Sequence, residues 1–100
     1  MKYDERVRRD QRLVTLQLLE RAEGYDLNAS ILRSALAEFG HRPSADALRA
    51  ELQWLAEQGL ITVREVVGLQ VATLTERGAD AAAGRATVPG VARPTPNAAG

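Results

Sequence analysis

From Tyr3 to Arg21 the chain runs through good helix formers without a glycine or proline, and this stretch limits the fold more than any other feature. At about 100° per residue, Tyr3, Val7, Val14 and Leu18 fall on one narrow stripe, while Leu13, Leu16 and Leu19 fall on the other side. The C-terminal half of this first helix is therefore apolar nearly all round. Such a helix has to be covered twice, either wrapped by its own domain or shared with a second subunit. Leu13, Leu16 and Leu19 are the candidate homodimer interface on the second reading; on the first, this is a central core helix. Tyr3 and Tyr25 are expected to close the edges of the core around it.

Glu23-Gly24-Tyr25-Asp26 breaks the pattern, and Asn28 then caps a second helix, with Leu27 and Leu32 forming a hydrophobic staple. Leu32, Ala35, Leu36 and Phe39 form its apolar stripe, and Gly40 stops it. The connection Gly40-His41-Arg42-Pro43 is tight, with His41 expected to face solvent. Ser44 caps a third helix, about residues 45–58, with the stripe Leu48, Leu52 and Leu55 and with Gly59 at its end. Two helices joined by a short turn predict helix-turn-helix geometry. Residues 60–66 and 69–75 are rich in β-branched side chains, and Val67-Gly68 between them supplies a two-residue hairpin turn. Thr75 caps a last helix, residues 76–83, ended by Gly84. From Arg85 onward there is no apolar period, so residues 85–100 are expected to be a disordered tail behind a single domain of residues 1–84. The fold class is mainly α with a small β-hairpin: three helices, two strands and a short C-terminal helix.

Several function classes are excluded at this stage. The chain has no cysteine and His41 is its only histidine, so a thiolate metal site or a histidine-dependent triad has almost nothing to be built from. No glycine-rich phosphate loop is present, and Glu20, Glu23 and Asp26 near a turn are not aligned as an acid/base pair. No enzyme, no cofactor and no metal are expected. No apolar run reaches the ~18 to 20 residues of a membrane span, and the charged start does not read as a signal peptide, so no membrane partner and a cytoplasmic location are expected. Thirteen basic and thirteen acidic residues cancel over the whole chain. Locally they do not: residues 1–12 carry Lys2, Arg6, Arg8, Arg9 and Arg12 against Asp4, Glu5 and Asp10, whereas residues 44–58 carry Arg49 against Asp46, Glu51 and Glu57.

The stretch Ala50-Glu51-Leu52-Gln53-Trp54-Leu55-Ala56-Glu57-Gln58-Gly59-Leu60-Ile61 resembles the end of a winged-helix recognition helix running into its wing. Leu74-Thr75-Glu76-Arg77-Gly78 resembles the "L-T-x-x-G" that follows the wing in many MarR-like and ArsR-like regulators. Together, over about residues 5–84, they identify the chain as similar to winged helix-turn-helix proteins. The opening Met1 to Asp10 further resembles small ArsR-like proteins of Mu-like phages and prophages. The resemblance implies a phage or prophage transcriptional regulator that binds double-stranded DNA as a dimer. Metal-sensing relatives use Cys and His ligands, which this chain lacks, so metal sensing is not expected. Its last helix is short and alanine-rich, so any dimer would rest mainly on the first helix.

In the docking implied by the resemblance, the third helix enters the major groove and the wing touches the backbone or minor groove. The reading face then carries Ser44, Asp46, Arg49, Ala50, Gln53 and Glu57. Arg49 suits a guanine edge and Gln53 an adenine edge, Ser44 and Arg42 suit phosphates, and Arg64 is the basic residue nearest the wing tip. Against this stand Asp46 and Glu57 on the same face, since DNA affinity is supplied by Lys and Arg neutralising phosphates. Arg6, Arg8, Arg9 and Arg12 either assist from the first helix or form a solvated face neutralised by Asp4, Glu5 and Asp10. Trp54 is expected to pack against the wing. The apolar tip Val66-Val67-Gly68-Leu69 suggests an alternative function: an interaction module in phage assembly or packaging that holds a phage or host protein without reading DNA.

Overall fold

The computed structural model describes residues 2–96. Along the chain lie α1 (Tyr3–Arg21), a 3₁₀ turn (Glu23–Tyr25), β1 (Asp26–Asn28), α2 (Ala29–Glu38), α3 (Ala45–Glu57), β2 (Ile61–Val66), β3 (Leu69–Leu74) and α4 (Glu76–Ala83). Three helices start where a side chain accepts an otherwise unpaired backbone N–H: Asn28 from Ile31, Ser44 from Ala47 and Thr75 from Gly78. Gly84 ends α4 in the left-handed conformation at φ 83°.

The sheet has three strands in the order β1-β3-β2, both pairs antiparallel, where the sequence predicts two. The extra strand is only three residues long, and Leu27 pairs with Ala72 far along the chain. A segment that short carries no readable alternation. The close fit of α4 beneath β2 depends on Gly78, where a Cβ would come 2.0 Å from the Leu60 carbonyl oxygen.

Leu13, Leu16 and Leu19 are 5%, 0% and 0% exposed and share one core with Leu32 and Leu36 of α2, Leu48, Leu52 and Leu55 of α3, Ile61, Ala72 and Ala82. Each such leucine is worth about 2 kcal/mol. The expected dimer interface on these three residues is thus corrected: they are spent inside the protomer. On the opposite stripe, Tyr3 and Val7 are exposed while Val14 and Leu18 are half-buried. Tyr25 is 56% exposed, so neither tyrosine closes the core. Phe39 leaves its predicted stripe because it is the C-cap of α2, outside helical geometry, and it is 53% exposed.

Residues 85–96 do not form the expected disordered tail. Val88 and Val91 are each 3% exposed within the core cluster, the Ala92 N–H donates to the Arg9 carbonyl (3.2 Å), and Arg12 Nη1 donates to the Gly90 carbonyl (3.0 Å). Two valines three residues apart in a Pro-Gly turn bury apolar surface without helical or strand periodicity, which is why the pattern missed them. Residues 97–100 of that expected tail lie outside the described residues. His41 is also corrected: it is 7% exposed, with Nε2 2.7 Å from Asp10 Oδ2, fastening the α2–α3 turn to α1. Among the described residues no helix is long and apolar enough to cross a membrane.

Candidate nucleic-acid interface

The inward stripe Leu48, Leu52 and Leu55 fixes how α3 presents its other residues. At about 100° per residue, Asp46, Ala50, Gln53 and Glu57 point away from the core, and all four are exposed. Ser44, at the start of the helix, is exposed and its Oγ accepts from the Ala47 N–H at 3.0 Å. Arg49 turns toward the wing, where Nη1 lies 3.9 Å from Glu65 Oε1 with both side chains more than half exposed. An exposed pair at that distance holds Arg49 only weakly.

The other flank of α3 faces α1. Glu51 accepts from Arg12 Nε at 2.7 Å and lies 3.6 Å from Arg8 Nε, and the Arg12 guanidinium sits 3.8 Å over the Trp54 ring. Trp54 therefore packs against Arg12 and the turn at Gly90, where a Cβ would come within 2.9 Å of the indole, rather than against the wing. The same contacts take Arg12 out of the set of cations available from α1, hold the exposed Arg8 only weakly, and turn Glu51 away from the outward face.

A residue the sequence did not single out completes the cationic surface. Arg33, exposed on α2, lines a concavity of about 370 Å³ together with Ser30, Ser34 and Arg42, and its Nε donates to the Pro43 carbonyl at 3.2 Å. A second concavity, of about 170 Å³, has Arg33 and Arg49 in its lining together with Ser30, Gly68, Leu69 and Gln70. No carboxylate lines either one. Arg42, Arg33 and Arg49 thus follow one another from the α2–α3 turn to the base of the wing. The signal for Arg33 was its place three residues after Ser30 on the flank of the α2 leucine stripe, but its significance depends on the angle between two helices.

Arg64 does not join this group. Strand alternation puts Ile61, Val63 and Glu65 on the α3 side of β2 and Arg64 on the far side. There Nη1 donates to Thr73 Oγ1 at 3.2 Å and Nη2 lies 3.7 Å from Asp26 Oδ2 of β1, the strand the sequence did not reveal. The hairpin ends in Val66, Val67 and Leu69, which are 45%, 98% and 39% exposed. Among the described residues no group of three His, Cys, Asp or Glu side chains is arranged to hold a metal ion.

This architecture has a counterpart among solved structures: Sco5413, a MarR family transcriptional regulator from Streptomyces coelicolor, superposes with a TM-score of 0.59 at 24% identity. The match covers 71% of this chain and 49% of that one, and it establishes the winged-helix fold. No protein-family model matches the chain. Among curated proteins, an uncharacterized protein of Haemophilus influenzae is 45% identical over 78 residues, 77% of this chain and 76% of its own length. The uncharacterized protein gp26 of Escherichia phage Mu is 48% identical over 89 residues, covering 89% of this chain and 92% of gp26. Identity at that level over nearly the full length of both proteins places the chain in the family of phage Mu gp26.

Proposed function

We propose that this protein is a DNA-binding regulator of phage or prophage transcription, of the MarR/ArsR kind in architecture, acting as a homodimer in the cytoplasm. The observation that carries the reading is the succession Arg42, Arg33, Arg49 around two concavities without a carboxylate in their lining, beside an exposed helix face. Arg49 and Gln53 read base edges, a guanine and an adenine respectively. Arg42, Arg33, Ser44 and the first amides of α3 hold backbone phosphates. With Glu51 turned inward, three arginines face Asp46 and Glu57, and Glu65 offsets part of Arg49. Two phosphates neutralised by Arg42 and Arg33 give a salt slope of about −2, shallow for a DNA binder, so selectivity rests on placement more than on net charge.

The second copy is assigned to the outer stripe of α1, because the inner one is consumed by the core. Exposed Tyr3 and Val7, with the groove of about 720 Å³ beside Val14, Leu18 and Phe39, support that placement. The test is a titration of duplex fragments from the protein's own genomic neighbourhood at two salt concentrations. Selective binding that persists at the higher salt is expected, with Arg49→Ala lowering discrimination by about 1 to 3 kcal/mol. Unchanged discrimination in that variant refutes the base-reading role. Absence of duplex binding at low salt refutes the whole reading in favour of a protein-interaction module, whose own support is the bare apolar wing tip.

A further inference from the structure

We infer that the wing tip is an apolar wedge that enters the minor groove of bound duplex DNA and bends it; the inference rests on the DNA reading above. The hairpin closes through Val67 at φ 51° and Gly68 at φ 77°, directly after the last ladder pair, Val66 with Leu69. A two-residue turn with both central residues left-handed selects Asn, Asp or Gly at its first position, and a β-branched residue is strained there. Val67 is 98% exposed, so no core contact compensates for that strain. Neither local conformational preference nor packing accounts for valine at this place. Val66 and Leu69, both exposed, extend the apolar surface on either side of it.

What the tip meets is indicated by the surface immediately inside it. Gly68, Leu69 and Gln70 form one wall of the small concavity that also holds Arg33 and Arg49 and that no carboxylate lines. Arg33 there suits a phosphate, next to the base edge that Arg49 reads. A phosphate held there sets the adjoining groove of the same duplex against Val67. A basic tip would track the backbone, whereas an aliphatic tip has no favourable contact in the minor groove until it slips between base pairs. Insertion partly unstacks one step and kinks the duplex, as apolar wedges of architectural proteins do. The cost falls on flexible pyrimidine–purine steps least, so the wedge also contributes sequence preference at a position without a hydrogen bond.

The test uses duplexes selected by the wild-type protein from a random library at low salt, end-labelled with a donor–acceptor dye pair. The variant is Val67→Asn, which suits the turn and removes the wedge. It is expected to melt at a higher temperature than wild type, to keep the same consensus through Arg49 and Gln53, to bind about tenfold more weakly and to leave the duplex straight. The higher melting temperature separates loss of the wedge from damage to the fold. A straight duplex in the wild-type complex, or equal bending by the variant, overturns the wedge, leaves the DNA reading standing and makes the tip a protein contact. Failure of the wild type to select any duplex overturns both.

Discussion

Arg12 is the joint between α1, α3 and the C-terminal segment, and its removal has a calculable cost. Its side chain is 12% exposed, donates to Glu51 from Nε at 2.7 Å and to the Gly90 carbonyl from Nη1 at 3.0 Å, and covers the Trp54 ring. Arg12→Ala leaves the Glu51 carboxylate, 16% exposed, facing Arg8 at 3.6 Å, a residue that is itself 59% exposed. Breaking a buried pair from one side costs about 3 to 5 kcal/mol. Arg8 and the residual exposure of Glu51 put the expected value at the lower end, about 3 kcal/mol, with the stacking and carbonyl contacts contained in that figure because one group makes them all. Urea denaturation should show a lower midpoint with an unchanged slope. Hydrogen exchange should show the Ala92 amide, which donates to Arg9, losing protection before the α3 amides do. Adding Glu51→Ala should recover part of the loss, since it removes the orphaned charge. A single variant within about 1 kcal/mol of wild type would refute the ion pair as the source of this stability, as would strict additivity in the double variant.

Two further expectations concern the proposed DNA surface. Arg33→Ala should weaken binding to all duplexes alike and make the salt slope shallower by about 1, measured by anisotropy titrations over a salt series; a sequence-dependent loss would instead make Arg33 a base reader. Asp46→Asn, on the outward face of α3, should raise affinity at low salt several-fold, whereas Glu51→Gln should not raise it, because Glu51 already faces Arg12. Equal gains from both would show that the two carboxylates reach the same phosphates.

Helix limits were legible because the interactions that set them are local. Asn28, Ser44 and Thr75 each satisfy an N–H three residues ahead, and Gly84 closes α4 through its own conformation. What the sequence concealed depends on distant partners. β1 exists because Asp26, Leu27 and Asn28 lie beside Thr73, Ala72 and Val71, and three residues contain no period to detect. Val88 and Val91 reach the core only because Arg12 and Arg9 hold the backbone between and after them. The same division runs through the candidate site. Ser44, Arg49 and Gln53 follow from the inward leucine stripe of one helix, and the structure leaves all three exposed as that stripe requires. Arg33 joins them only through the crossing of α2 over α3, and Arg64 leaves them because alternation along β2 turns it to the far face of the sheet, where β1 supplies Asp26.

The acidic balance of residues 44–58 was the strongest sequence argument against DNA, and it weakens for a geometric reason. A charge acts on a partner about a Debye length away only if water and counter-charges leave it free to do so. Of the three carboxylates in that segment, Glu51 is already neutralised at 2.7 Å by Arg12, on the flank that faces α1. The helix brings no compensating lysine of its own, yet α2 and the turn before α3 contribute Arg33 and Arg42 to the same surface. A linear tally assigns those two to a different element and Glu51 to this one, and so misstates the surface on both sides. The field a duplex would meet is therefore set by three arginines drawn from three successive parts of the helix-turn-helix, against two outward carboxylates on α3 and one on the wing. Such a surface is too evenly balanced to bind nucleic acid by charge alone, so the proposed DNA reading requires contacts that depend on shape, at the base edges facing Gln53 and at the Val67 tip, to supply the rest.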